Sequence, residues 1–240
     1  MKKFITLTLC VLLCAVAFAG CADQPAVPTT TAPPEAPAET APPPEPQPEP
    51  EPQPQEYTDP LPETIPGTIY LEDGGVMRFE LYPHIAPQSV FNFIYLARQG
   101  FYDGLGFHRI LENFMAQGGC PQGTGGGNPG YAIFGEFSDN GFENNLLHTR
   151  GVLSMARATD YNSAGSQFFI MFGTSAFLDG GYAAFGLITE GLDVVDSLEA
   201  TPNAGRAGNG FVEPEDRPII RTITIDSDVV VPLPDKLPRP

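Results

Sequence analysis

Proline placement decides where this chain can fold. Most of its 27 prolines lie before residue 66, in a stretch from Ala22 to about Pro62 made almost entirely of Pro, Glu, Gln, Thr and Ala, as in Pro42-Pro43-Pro44-Glu45-Pro46-Gln47-Pro48-Glu49-Pro50-Glu51-Pro52. Each proline restricts φ and removes a backbone donor, so neither helix nor sheet runs through such a block. With almost no apolar bulk and with like charges that repel, it builds no core. It reads as a semi-rigid polyproline II spacer reaching on the order of 100 Å at ~3.1 Å per residue. A PxxP-type docking ligand is disfavoured, because the Pro-acid alternation has no basic anchor beside it.

What precedes the spacer is of another kind. Met1-Lys2-Lys3 and the apolar run from Phe4 to Ala19 have the charged start and short hydrophobic core of a secretory signal. Phe18-Ala19-Gly20-Cys21 resembles a bacterial lipobox, which implies cleavage after Gly20 and attachment of diacylglycerol to the Cys21 thiol. The expected organisation is a signal peptide over 1–20, lipidated Cys21 heading a linker over 21–62, a folded domain over 63–226 and a Pro-rich tail over 227–240. The expected location is the outer face of a bacterial cell membrane, or the periplasm where an outer membrane exists. A diacylated cysteine suffices for stable anchoring.

Charge and cysteine content narrow the partners. Loss of Lys2 and Lys3 leaves 10 basic against 29 acidic residues, a net charge of about −19, which argues against nucleic acid and against a polybasic membrane contact. Cys10 and Cys14 would leave with the signal and Cys21 would carry lipid, so Cys120 stands alone, without an internal disulfide; an odd thiol in an exported protein can pair between chains or be reactive, and a buried, inert cysteine is the more frequent outcome. His84, His108 and His148 lack the close spacing of a zinc site, and no cofactor is expected. Gly125-Gly126-Gly127-Asn128-Pro129-Gly130 fits G-x-G-x-x-G formally, but Pro129 and the lack of a following helical pattern make it a loop. Ser166, His148 and Asp179 assemble a hydrolase triad on paper without any nucleophile-elbow sequence.

Folding signals run from Ile65 to Asp226, about 160 residues, enough for one domain that buries some 70% of its unfolded surface. Thr68–Leu71 and Val76–Leu81 flank the turn cluster Glu72-Asp73-Gly74-Gly75 and read as a hairpin. From Ala86 to Arg98 the period changes: Pro87 suits a first helical turn, Val90, Phe93, Ile94 and Ala97 make an apolar stripe, and Gly100 closes the segment. Short apolar runs follow at Gly106–Ile110, Gly151–Ala156, Gln167–Phe172 and Tyr182–Ile188. A second helix fits Leu192–Leu198, and Ile219–Ile225 alternates as a closing strand. Many strands with two helices point to a mainly β protein, a closed antiparallel β-barrel without exposed edges, capped by the helices.

Five ordered blocks carry a specific likeness. Phe107-His108-Arg109-Ile110, Phe114-Met115-Ala116-Gln117-Gly118-Gly119, Leu153-Ser154-Met155-Ala156, Gly165-Ser166-Gln167-Phe168-Phe169-Ile170 and Phe177-Leu178-Asp179-Gly180 resemble the signature of the cyclophilin family across the whole folded part. The resemblance implies an eight-stranded barrel with two helices and peptidyl-prolyl cis/trans isomerase activity on proline-containing polypeptides, by a monomer. It implies Arg109 and Gln117 as catalytic residues. Phe114, Met115, Phe169 and Leu178 would form the proline pocket, and His108, Ala156, Arg157, Gln167, Phe177 and Tyr182 would line the groove for flanking residues. Phe177 stands where tryptophan, and Tyr182 where histidine, is common in eukaryotic members, so weak cyclosporin sensitivity is expected. Arg157 replaces an asparagine, a change expected to act on substrate preference.

That chemistry suits these residue types. Rotation about an Xaa-Pro bond needs loss of amide resonance and neither nucleophile nor metal. A cation near the proline nitrogen helps, because the lone pair localises there as the amide twists. A guanidinium stays protonated and presents donors in a fixed plane, and apolar walls suit a pyrrolidine ring. The competing expectation is a non-catalytic module that captures Pro-containing segments in the same groove.

Overall fold

The computed structural model describes residues 58–202 and 208–239, so the signal-like segment, Cys21 and nearly all of the spacer lie outside the described residues. The elements run β1 (Ile65–Leu71), β2 (Val76–Leu81), α1 (Pro87–Arg98), β3 (Arg109–Leu111), β4 (Met115–Gly118), β5 (Val152–Met155), β6 (Phe168–Met171), β7 (Ala184–Glu190), α2 (Leu192–Glu199) and β8 (Ile220–Ile225). They form one eight-stranded sheet in the order β3-β4-β6-β5-β7-β2-β1-β8, antiparallel throughout. The fold is mainly β, as expected. The curled sheet meets itself just before β3: Gly106 bridges Ile219, the Phe107 N–H donates to the Pro218 carbonyl at 3.0 Å, and the Ile220 N–H donates to the Leu105 carbonyl at 2.8 Å. The seam is therefore a short bridge rather than a full ladder.

Side-chain alternation fills the interior. In β2, Met77, Phe79 and Leu81 are buried while Val76 and Arg78 face water, the period-two signature of a strand with one face on a core. The core centres on Phe93 of α1, whose ring lies 5.2–5.8 Å from those of Phe79, Tyr102, Phe168 and Phe185. Edge-to-face contact with Phe79 and Phe168 is the arrangement aromatic quadrupoles prefer. Helix α1 packs on β7 and β8, and α2 packs on β2, β3 and β4 with Val195 and Leu198 buried.

The start of α1 is capped from far away. Ala86 offers no side-chain cap and Pro87 occupies the first turn. The buried carboxylate of Glu136 supplies the acceptors instead, taking the Gln88 N–H and the Ser89 N–H at 2.8 Å each and the Ser89 hydroxyl at 2.7 Å. Burial pushes the pKa of Glu136 up, against the pull of those three donors.

The C-terminal segment, expected to leave the domain at residue 227, lies on it. Arg98 Nη2 donates to the carbonyls of Ser227 and Val229 at 3.1 and 2.8 Å, Val229 and Val231 are buried, and Ala132 and Leu237 exchange backbone hydrogen bonds at 3.0 and 2.8 Å. Val229-Val230-Val231 supplies apolar bulk that a Pro-rich reading undervalues. An extended proline-rich chain can cross a surface while offering carbonyls to a side chain such as Arg98. The linker side joins in, with the Thr58 N–H donating to the Val230 carbonyl at 2.9 Å. Strand β4 was not among the apolar runs, since Met115-Ala116-Gln117-Gly118 is short and half of it is Gln and Gly.

Replacing Glu136 by alanine would leave three buried or half-buried donors without acceptors, at a cost of about 1–3 kcal/mol. Urea unfolding of Glu136→Ala should show that loss, with Glu136→Gln falling between it and wild type because one oxygen still accepts. An unchanged midpoint for the alanine variant would show that the cap is not coupled to stability.

Candidate active site

The same alternation that fills the barrel builds a second apolar cluster on its outer side. In β6, Phe168 and Ile170 join the interior, whereas Phe169 and Met171 join an outer cluster with Met115, Val152, Leu178 and Ala184. In β4, Ala116 points inward while Met115 belongs to the outer cluster, and in β3 Ile110 is interior between Arg109 and Leu111. The register then sets the site: Arg109 is opposite Gln117, and Gln117 is opposite Phe169. One row across β3, β4 and β6 thus carries a cation, an amide and an aromatic ring.

Arg109 is half-buried and held by neutral acceptors. Its Nε donates to the Asn209 carbonyl at 2.8 Å and its Nη1 to Gln117 Oε1 at 3.3 Å. Gln117 Nε2 donates to Gln167 Oε1 at 2.8 Å, and Gln167 Nε2 donates to the carbonyls of Gly125 and Gly127 at 2.8 and 2.7 Å. The chain of amides fixes the guanidinium plane and ties it to the glycine loop. Burial pushes the Arg109 pKa down, with Tyr182 opposing, yet a guanidinium stays protonated. None of the ion pairs among the described residues involves Arg109, so its charge is not neutralised by a carboxylate.

Beside Arg109 lies a cavity of about 200 Å³ lined by Arg109, Phe114, Met115, Gln117, Ala156, Arg157, Phe169, Phe177, Leu178 and Tyr182. Met115, Phe169 and Leu178 are almost fully buried and make its floor. Phe177 is 76% exposed and forms the rim, its ring 5.5 Å from that of Phe114. Phe114 follows a turn in which Asn113 takes φ 59°, a left-handed conformation that asparagine tolerates. Tyr182 stands edge-on to Phe169, with the guanidinium of Arg157 4.5 Å above its ring. A second cavity of about 180 Å³ adjoins it and shares Gln117, Ala156 and Arg157; Gln167 lines this one.

A polar network behind the floor holds the rim. The His148 ring lies stacked on Phe169 at 6.0 Å. Its Nδ1 donates to Asp179 Oδ1 at 2.9 Å, and Asp179 Oδ1 also accepts the His148 backbone N–H at 2.8 Å. Burial pushes the His148 pKa down against the carboxylate, so Nε2 is free to accept the Ser154 hydroxyl at 2.9 Å. The paper triad is thus half right: the histidine and aspartate do meet, but the serine is Ser154. Ser166 instead donates to the Gly119 carbonyl at 2.7 Å. Ser154 and His148 are buried, so no substrate reaches the hydroxyl; the network ties β5 to the turn that carries Phe177 and Leu178.

His108 is the one groove residue that the structure places elsewhere. It is 2% exposed and absent from both cavities; its Nε2 lies beneath the glycine loop, where a Cβ on Gly125 would stand 3.7 Å away. Neither ring nitrogen has a hydrogen-bond partner among the described residues. Burial, then Arg217 and Arg109, push its pKa down to about 4, so at neutral pH it adds no charge beside Arg109. Cys120 is also buried, and its Sγ accepts the N–H groups of Gly125 and Gly127 at 3.3 Å each. Burial raises the thiol pKa, but these donors together with those of Gln122 and Thr124 outweigh it, and the net shift is downward. The Asn209 carbonyl, which holds Arg109, lies 100 residues away and left no trace in the motif pattern.

The antiparallel barrel thus carries a cation with no carboxylate partner among the described residues beside an apolar pocket. Comparison with known proteins agrees: the family model described as "Cyclophilin type peptidyl-prolyl cis-trans isomerase/CLD" matches residues 68–227. Peptidyl-prolyl cis-trans isomerase B of Bacillus subtilis is 47% identical over 132 residues, covering 55% of this chain and 89% of that protein. A peptidyl-prolyl cis-trans isomerase of Helicobacter pylori is 45% identical over 143 residues, covering 59% and 84%. The crystal structure of a Cryptosporidium parvum cyclophilin type peptidyl-prolyl cis-trans isomerase, in the presence of the dipeptide Ala-Pro, is 33% identical with a TM-score of 0.59 over 68% of this chain and 99% of that one. The chain belongs to the cyclophilin-type peptidyl-prolyl cis-trans isomerase family. It is an isomerase of Xaa-Pro bonds.

The neutral burial of His108 makes stability depend on pH. Unfolded, the imidazole binds its proton near pH 6.5; folded, it does so only near 4, so the unfolded state holds more protons between those values. Stability should therefore rise with pH from about 4 to 6.5, by on the order of 3 kcal/mol from this residue. His148, also shifted down, adds in the same direction. Urea midpoints at pH 4.5 and 7 should differ less in His108→Leu than in wild type; an equal difference would show that His108 is not the group responsible.

Proposed function

We propose that this isomerase accelerates proline-limited folding of exported polypeptides while anchored by lipid at Cys21, and that Arg109 carries the catalytic step. The observation that carries the second part is the guanidinium held by Asn209 and Gln117 over an apolar floor without a carboxylate partner. As the Xaa-Pro bond rotates, resonance is lost, the nitrogen lone pair localises and becomes an acceptor, and a fixed donor stabilises this twisted state more than either planar one. The floor of Met115, Phe169 and Leu178 would seat the pyrrolidine ring, which has no donor and gains from leaving water. Gln117 would hold the substrate backbone and set the Arg109 plane. The groove is complete within one chain, which supports action as a monomer.

The first part is supported by the signal-like N-terminus, the lipobox-like ending at Cys21 and the spacer, which would hold the domain off the membrane. Uncatalysed proline isomerisation takes tens of seconds, slow enough to limit folding. The Ala-Pro dipeptide with the Cryptosporidium relative supports proline-containing polypeptides as the substrate class.

Exchange NMR on a short Xaa-Pro peptide tests the catalytic role. Wild type should accelerate exchange, and Arg109→Ala should lose about 10²-fold in kcat/KM, the scale of one transition-state donor, while still binding the peptide. Peptide binding without acceleration by wild type would leave only a capture module.

Cell fractionation tests the anchor. Wild type should sediment with membranes, whereas Cys21→Ser should appear in the soluble exported fraction. Membrane association that survives the substitution would rule out Cys21 as the anchor.

A further inference from the structure

The C-terminal strap brings Arg239 to the second cavity. After Arg98 and Thr58 pin its first residues, the Asp235 N–H donates to Gln88 Oε1 at 2.7 Å and Gln88 Nε2 donates to Asp235 Oδ2 at 3.1 Å. The Lys236 ammonium lies 4.5 and 4.7 Å from the rings of Tyr95 and Tyr131, and Leu237 pairs with Ala132 in both directions. Two residues later Arg239 lines the second cavity, together with the glycine loop and Gln167. That cavity shares Gln117, Ala156 and Arg157 with the proline pocket, so a polypeptide seated by its proline places a nearby residue in it.

The charge of this groove is opposite to that of the chain. The whole sequence has 29 acidic and 12 basic residues, yet among the described residues the two cavities are lined by Arg109, Arg157 and Arg239 and by no carboxylate. Arg157 is already engaged: it donates to the carbonyls of Gly181 and Ala158 at 2.8 and 2.9 Å, and its guanidinium lies 4.5–5.2 Å from the rings of Tyr182, Tyr161 and Phe137. Arg239 is exposed and has no hydrogen-bond or ion-pair partner among the described residues. Its fork of donors is open to a carboxylate, which it can meet in bidentate geometry.

We propose that Arg239, delivered by the C-terminal strap, is a specificity-determining residue that selects polypeptides with an acidic side chain close to the isomerised proline. The proposal rests on the proline pocket being where the function above puts it. Because the contact exists before the bond twists, it acts on KM rather than kcat. An exposed pair of this kind changes kcat/KM about two- to five-fold.

The test uses the full-length protein and peptides with one Xaa-Pro bond, in which a single Glu, Gln or Lys occupies each of three positions on either side of the bond. At one position wild type should turn over the Glu peptide about two- to five-fold better than the Lys peptide, through KM, and the ratio should shrink in high salt. Arg239→Ala should bring the ratio near one and Arg239→Glu should invert it. The ratio is read within each variant, so partial loss of folded enzyme cancels. A Glu-to-Lys ratio that Arg239→Ala leaves unchanged, or no discrimination at any position, overturns the proposal. Absence of turnover for every peptide overturns the isomerase reading of the pocket, and the proposal with it.

Discussion

The structure depends on burying both faces of a short strand. Phe168 and Ile170 of β6 fill the barrel interior around Phe93, while Phe169 and Met171 cover the outer cluster that floors the cavity beside Arg109. Each large side chain contributes about 1.5–3 kcal/mol on leaving water, so the strand is held from two sides. A one-residue slip would exchange the faces, sending Phe169 into the barrel and pulling the pocket floor away from Gln117. Stability and active-site geometry are thus set by the same register.

On that frame Arg109 is positioned by distant backbone rather than by neighbours in sequence. The Asn209 carbonyl and the Gln117–Gln167 amide chain fix Arg109, and the Gln167 amide is fixed in turn by two carbonyls of the glycine loop. That loop is braced from inside by the Cys120 sulfur. It leaves Gly119 with φ 77°, where a Cβ would collide with the Ser166 carbonyl, so glycine is required at that turn. Preorganisation of this kind spares the enzyme from reorganising donors as the amide twists. The neutral acceptors matter as much as the rigidity, since a carboxylate in place of Asn209's carbonyl would neutralise the guanidinium.

Much of this was legible in the sequence where a feature is local. The hairpin over Thr68–Leu81 and the stripe of Val90, Phe93, Ile94 and Ala97 follow from period two and period 3.6, and the five blocks contain eight of the ten residues lining the cavity beside Arg109, all but Arg157 and Tyr182. Features that depend on distance along the chain were not legible. Glu136 caps a helix that begins 49 residues earlier, at Pro87, and nothing near Ala86 hints at it. His148 does find Asp179, yet which serine it takes depends on β5 placing Ser154 on its outer face, not on any motif spacing. His108 sits beside Arg109 in the motif but packs under the glycine loop, because a residue just before a strand need not follow the strand's alternation. The tail looked separable because its prolines outweigh its three valines in composition, though not in burial.

The arrangement of charge separates two effects on a polypeptide that approaches. The net charge of −17 repels acidic segments at long range, but at physiological salt that field decays over about 8 Å. Within that distance the surface of the groove is set by Arg109, Arg157 and Arg239, none of them in an ion pair among the described residues. The global charge therefore bears on solubility and encounter, and the local cations on what stays bound. Of the three arginines, Arg109 is held by the Asn209 carbonyl and Gln117 beside the apolar cavity and Arg157 is engaged by its aromatic neighbours, which leaves recognition of charge to the residue that the strap carries in from the far end of the fold.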